Sequence, residues 1–144
     1  VHHGNGTEDI VAGDERILMV SFFQDGIYPF NGGVPLGTNM VNLPIPAYTR
    51  GEAIRELITA NWIPRLEEFK PEMIFISAGF DAHREDDMGQ LGLVEADYEW
   101  MTRQLVAVAE KHCQGRVVSC LEGGYSLSSL ARSVAAHIRA LADV

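Results

Sequence analysis

The sequence predicts an open α/β fold, a mainly parallel sheet with helices on both faces. Two observations carry this. The segments 16–23, 72–78 and 116–121 are almost continuously apolar and rich in β-branched or aromatic residues, the pattern of strands buried on both faces of a parallel sheet. Stretches with apolar residues at helical spacing lie between and after them, so strand and helix alternate and imply right-handed crossovers. At 144 residues the chain is one domain by length, and no repeat, low-complexity tract or linker divides 1–144.

Taken in order, the first strand is read at 16–23 (RILMVSFF). The Gly- and Pro-rich segment 24–38 holds Tyr28 and Phe30, and an irregular loop of that length in a compact domain is usually functional or mobile. A short strand follows at 39–43 (NMVNL). Thr49-Arg50-Gly51-Glu52 has the form of a capping box, and Ile54, Leu57, Ile58, Trp62 and Leu66 continue it as an apolar helical stripe. Pro64 inside that stripe predicts a kink or a division. Lys70-Pro71 breaks the chain before the strand at 72–78. A helix over 94–113 faces inward with Tyr98, Met101, Leu105 and Ala109. After the strand at 116–121, a last helix over 128–142 aligns Leu130, Val134, His137, Ile138 and Leu141, with Ser126, Ser128 and Ser129 as caps.

A formal charge of −9 argues against binding to phosphate backbones. No apolar run approaches the roughly 18 residues of a membrane span. Nor does a basic segment followed by an apolar one open the chain, so a cytoplasmic protein without a membrane or nucleic-acid partner is expected. Cys113 and Cys120 read as two reduced thiols, and the absence of Cys-x-x-Cys argues against a thiolate zinc site.

In open α/β sheets, ligands gather beyond the carboxyl ends of the strands. Asp81 follows the third strand, Gly123-Gly124-Tyr125 follow the fourth, and His2-His3 open the chain before the first. If they converge, a neutral imidazole and an ionised carboxylate suit zinc, and iron(II) as well, although a catalytic zinc takes a third protein ligand. Tyr125, behind two glycines, could donate a hydrogen bond to a developing oxyanion. Each residue alone has a plainer reading: an ordinary turn pair or tag remnant for the histidines, a cap or turn for Asp81, a cover for the sheet edge for Tyr125. His83 is expected at the surface or behind the ligands, Glu85-Asp86-Asp87 in solvent, and His112 and His137 on helix faces.

Together, HHGNGT at 2–7, SAGFDAH at 77–83 and LEGGY at 121–125 resemble the zinc-dependent histone deacetylase family, including bacterial deacetylase-like amidohydrolases and acetylpolyamine amidohydrolases. Asn5 places the resemblance nearest the class II-like and bacterial members. It implies the arginase/deacetylase-like fold and hydrolysis of an acetylated amine, acetyl-lysine or acetylpolyamine. It makes His2 and Asp81 metal ligands, Tyr125 catalytic, Tyr28 and Gly124 walls of the substrate tunnel, and His3 and Asn5 supports behind the ligands. Ser21, Phe22 and the backbone of His2 would line a potassium site, and the backbone of Val11, Asp14 and Ile17 a second. Ser126 stands where the family commonly has Asn. The family's first aspartate ligand and its tandem histidine base and acid would precede residue 1. The resemblance therefore implies a domain truncated on its N-terminal side, the C-terminal part of a deacetylase, inactive alone. The alternatives are a non-catalytic α/β binding or assembly module, or one half of a split enzyme. A truncated sheet exposes an edge, so a homo-oligomer or a separate N-terminal half is the expected partner.

Overall fold

The computed structural model describes residues 1–143. Along the chain run α1 (Asn5–Val11), β1 (Met19–Gln24), β2 (Met40–Ile45), α2 (Gly51–Phe69), β3 (Ile74–Ala78), α3 (Glu95–Cys113), β4 (Val117–Leu121) and α4 (Leu127–Ala142). α1, which no reading of the sequence anticipated, begins just after the histidine pair, and its buried anchor is Glu8.

All strand pairing is parallel. β1 lies beside β2 with Met19 opposite Met40 and Gln24 opposite Ile45. β3 lies beside β4 with Ile74 opposite Val117 and Ala78 opposite Leu121. The expected open sheet thus exists as two two-stranded pairs. They are tied at their carboxyl ends. The Gln24 N–H donates to the Val1 carbonyl at 2.8 Å. The Gln24 amide donates to Gln90 Oε1 at 2.9 Å and accepts from the Gln90 N–H at 2.6 Å.

Burial on both faces does not hold for β3 and β4. Ile74, Ile76 and Ala78 face the core, whereas Phe75 on the opposite face is 72% exposed. An apolar run cannot distinguish a two-sided strand from one whose outer face lacks a cover among the described residues.

α2 buries Ile54, Ile58, Trp62 and Leu66 along one side. It runs unbroken through Pro64, so of the expected kink or division the division does not occur. Pro64 and Ala60, whose carbonyl the proline leaves unbonded, both lie on the exposed side, where water can satisfy the free oxygen. The capping box does not form: the N-cap is Arg50, and the Thr49 hydroxyl donates to the Pro46 carbonyl at 2.6 Å. Space before that helix is taken by Asp97, whose carboxylate abuts Gly51 and accepts from Arg55 Nε at 2.9 Å and from the Val94 N–H at 2.9 Å.

α4 packs on α3 through Ser129, Ser133, Ala136, His137 and Ala140, not through the larger stripe expected. Leu130 and Val134 are partly buried, and Ile138 is exposed. Small residues let the two helices approach closely, so the contact face lies to one side of the apolar stripe. Ser126 is the N-cap residue of α4 but makes no side-chain cap bond, and Ser129 Oγ donates to the Ser126 carbonyl at 3.1 Å. Cys113 and Cys120 are free thiols.

Candidate functional site

The site is assembled where the chain leaves β3 and β4. The Phe80 N–H donates to the Gly123 carbonyl at 2.7 Å, continuing the pairing beyond the strands. The Tyr98 hydroxyl on α3 donates to the Phe80 carbonyl at 3.0 Å. Burial raises the phenol's pKa, keeping it a neutral donor. These bonds deliver Asp81 into the interior, 1% exposed.

Two groups from the start of the chain meet it there. The Val1 nitrogen donates to Asp81 Oδ1 at 2.5 Å, and His2 Nδ1 lies 3.0 Å from Asp81 Oδ2. Across the carboxylate stands Gly123, and a Cβ at that position would collide with it, so the approach needs glycine. Gly124 has φ +148°, and a Cβ there would lie 2.6 Å from Leu130 Cδ1. The glycine pair therefore brings the backbone against Asp81 and turns it into α4, with Tyr125 between and 55% exposed.

Asp86 corrects the reading of 85–87 as a solvated cluster. It is 5% exposed. Its Oδ2 accepts the backbone N–H groups of Tyr125 at 2.7 Å and Ser126 at 3.0 Å, and its Oδ1 accepts that of Met88 at 3.0 Å. Burial opposes ionisation, but the backbone donors of Tyr125, Met88 and Ser126 outweigh it and hold the carboxyl below its ordinary value. The clue in the sequence is local: an Asp two residues before a turn amide, here Met88, forms an Asx turn. Its bonds to Tyr125 and Ser126, about forty residues away, leave no such clue.

The other expected residues fall into two groups. Tyr28 stays near His2, its ring centroid 6.2 Å from that of the imidazole in an edge-on arrangement. His3 is drawn to different partners: its Nε2 lies 2.6 Å from Glu8 Oε2 and its ring packs 4.5 Å from Phe23. Glu8 also accepts from the Asn42 amide at 2.7 Å. Asn5 is exposed at the start of α1, and its N–H donates to the His3 carbonyl at 2.9 Å. Ser21 and Phe22 pair with Asn42 and Leu43 within the β1–β2 ladder. The carbonyls of Val11, Asp14 and Ile17 converge, and at their meeting point lies the Asn39 side-chain nitrogen.

Two histidines are more deeply placed than expected. His83 is 1% exposed, its Nδ1 accepting the Glu85 N–H at 3.1 Å. His137 is buried between the Thr102 and Ser119 hydroxyls at 2.7 and 2.8 Å, and burial lowers its pKa.

As donors, the imidazole of His2 and the carboxylate of Asp81 fit a divalent metal with N and O preferences. Among the described residues no group of three or more His, Cys, Asp and Glu could hold an ion. The pair offers two donors, short of the three protein ligands a catalytic zinc ordinarily takes. No helix among the described residues is long and apolar enough to cross a membrane.

The chain was compared with known proteins. It is 37% identical to the type-2 histone deacetylase 2 of Dictyostelium discoideum, over 99% of this chain and 9% of that one. It is 43% identical to a probable deacetylase of Archaeoglobus fulgidus, over 88% of this chain and 37% of that one. Among solved structures, the histone deacetylase Clr3 superposes over 100% of this chain and 26% of its own, with TM-score 0.89 and 31% identity. The acetylpolyamine aminohydrolase of Burkholderia pseudomallei superposes over 97% of this chain and 42% of its own, with TM-score 0.84 and 26% identity. This chain therefore spans less than half the length of each of these relatives. The family profile described as the histone deacetylase domain matches residues 1–141, nearly the full length, and on that match the chain belongs to the histone deacetylase family.

Proposed function

We propose that the chain contributes one part of the active site of a metal-dependent amidohydrolase that removes the acetyl group from an acetylated amine, acetyl-lysine or acetylpolyamine. The observation that carries this is the meeting of His2 Nδ1 and the buried Asp81 carboxylate at 3.0 Å beside Gly123. A zinc or iron(II) ion bound there would polarise an acyl carbonyl and lower the pKa of a water molecule.

The residues present divide the remaining work. His2 supplies a nitrogen donor, and Asp81 an oxygen donor held in place by the buried Val1 nitrogen. Asp86 fixes the backbone of Tyr125, whose phenol is the hydrogen-bond donor for an acyl oxygen gaining charge. Tyr28, edge-on to His2, is one wall of the acyl channel, and Gly124 borders it without a side chain. His3 and Asn5 support the histidine segment from behind, His3 through Glu8 and Asn5 through its bond to the His3 carbonyl. Ser21, with the backbone of His2 and Phe22, remains the proposed seat of one potassium ion.

A third ligand and the proton-transfer base come from residues outside 1–144. Alone, the chain is then inactive. Assay of the purified 144-residue chain with zinc against an acetyl-lysine peptide and an acetylpolyamine tests this, with no turnover above background expected. Zinc-dependent turnover by the chain alone would overturn it. Turnover appearing on addition of a separately supplied N-terminal half would favour the split-enzyme alternative.

A second reading, an assembly module, rests on the exposed outer face of β3 and β4, with Phe75 72% and Leu121 62% exposed. It expects a homo-oligomer of a cytoplasmic protein. A monodisperse monomer in light scattering would count against it.

A further inference from the structure

Asn39 stands one residue before β2 and is 8% exposed. Its Nδ2 donates to the carbonyls of Val11 at 2.9 Å, Asp14 at 3.2 Å and Ile17 at 3.0 Å. Its Oδ1 accepts the Gly13 N–H at 3.1 Å. One side chain thus closes the whole turn between α1 and β1.

Three backbone carbonyls pointing at one spot is the arrangement that replaces the hydration shell of a potassium ion. The family resemblance names these same three residues as donors to a second monovalent cation. The spot is filled from within the chain. The amide cannot be turned the other way: flipping it would aim Oδ1 at three acceptors and set Nδ2 against the Gly13 N–H. The fit is tight on the far side as well, since a Cβ on Gly37 would lie 2.5 Å from Oδ1. Two amide protons shared among three oxygens make a weaker positive centre than an ion, but one that needs no ion from solution.

We propose that the Asn39 carboxamide replaces the second monovalent cation of this fold, so that the 11–17 turn of this chain is closed without potassium. The inference concerns no reacting group and stands whether or not the deacetylase reading does.

The test compares thermal unfolding in tetramethylammonium chloride, whose cation is too large for the turn, with unfolding in potassium chloride at equal ionic strength. Asn39→Ala leaves the three carbonyls beside a recess of about 170 Å³ that Glu15, Thr38 and Arg65 also line, giving an ion a way in. In tetramethylammonium chloride the variant is expected to melt about 6 °C below wild type. Potassium chloride should restore half of that loss or more. Asn39→Asp, which adds a carboxylate oxygen to the carbonyls, should show a larger potassium response still. A response that wild type shares arises elsewhere in the chain, so the difference between variant and wild type is the reading. Equal potassium responses in wild type and both variants would overturn the proposal. So would a rubidium anomalous peak among the three carbonyls in crystals of the wild-type protein. Should Asn39→Ala fail to fold in either salt, Asn39→Asp and the rubidium crystal decide.

Discussion

The ends of the two strand pairs are built differently. Beyond β3 and β4 nearly every polar group is committed: Asp81 holds the Val1 nitrogen and faces His2, Asp86 holds three backbone amides, and Gly123 leaves no room for a side chain. Beyond β1, the loop 25–38 carries Tyr28, Phe30, Val34 and Leu36, all mostly exposed. Buried hydrogen bonds of this kind hold side chains to a few tenths of an ångström, as the proposed metal site would require. Apart from Tyr28, which lies edge-on to His2, these apolar side chains are left largely open to solvent.

The largest test of this contrast is a pair of glycine substitutions. Gly123→Val drives a branched side chain into the Asp81 carboxylate and should cost about 3 kcal/mol, read from the urea midpoint. Gly33→Val, in the 25–38 loop with open space around it, should cost less than about 0.5 kcal/mol. Equal costs would break the comparison. Next comes Asp86→Ala, which strands the N–H groups of Tyr125, Ser126 and Met88. It should cost about 2 kcal/mol and speed amide exchange at 125 and 126 while leaving the exchange of β1 unchanged.

Acid should act more gently, and mainly on the β3–β4 side. Hydrogen bonds from Arg132, with its charge, hold Glu95 at a pKa of about 2, well below the ordinary glutamate value of 4.5. Its contribution is present above the unfolded value and lost as pH falls through the folded one, between roughly 4.5 and 2. Buried His137, with its lowered pKa, takes up a proton more readily in the unfolded chain. Stability should therefore begin to fall as pH drops below the ordinary histidine value of 6.5. Denaturant midpoints across that range should show the slope, and His137→Gln should flatten its upper part. The smallest expected effect is that of Tyr125→Phe. The exposed phenol should contribute less than about 0.5 kcal/mol to stability. In a longer protein that completes the site, the same change should lower kcat by about a hundredfold. A large stability loss would mean that Tyr125 serves the fold rather than the chemistry.

Much of this was legible in the letters. The helix over 94–113 is found at Glu95–Cys113, and the last helix at Leu127–Ala142 against an expected 128–142, because long periodic segments carry their own signal. The meeting of His2 with Asp81 followed from placing motifs at strand ends. What failed were readings that took a polar residue as merely local. Asp86 was expected in solvent beside its charged neighbours and is buried, His83 takes the buried of its two expected places, and Ser126 holds the N-cap position of α4 without a side-chain cap bond. Thr49, the expected cap of α2, is not one, because Asp97 takes the space before that helix.

Read alone, the sequence determined the order of the four strands and the three longer helices and the motifs that bring imidazole and carboxylate together, because hydrophobic periodicity and turn chemistry act over a few neighbouring residues. Tertiary structure alone decided that the sheet divides into two pairs, that Asp86 anchors the tyrosine loop, and that Asn39 occupies the centre of three carbonyls. The physical reason is range. A buried polar side chain is defined by the partner that satisfies it, and for Asp86 and Asn39 those partners lie some 20 to 40 positions away along the chain.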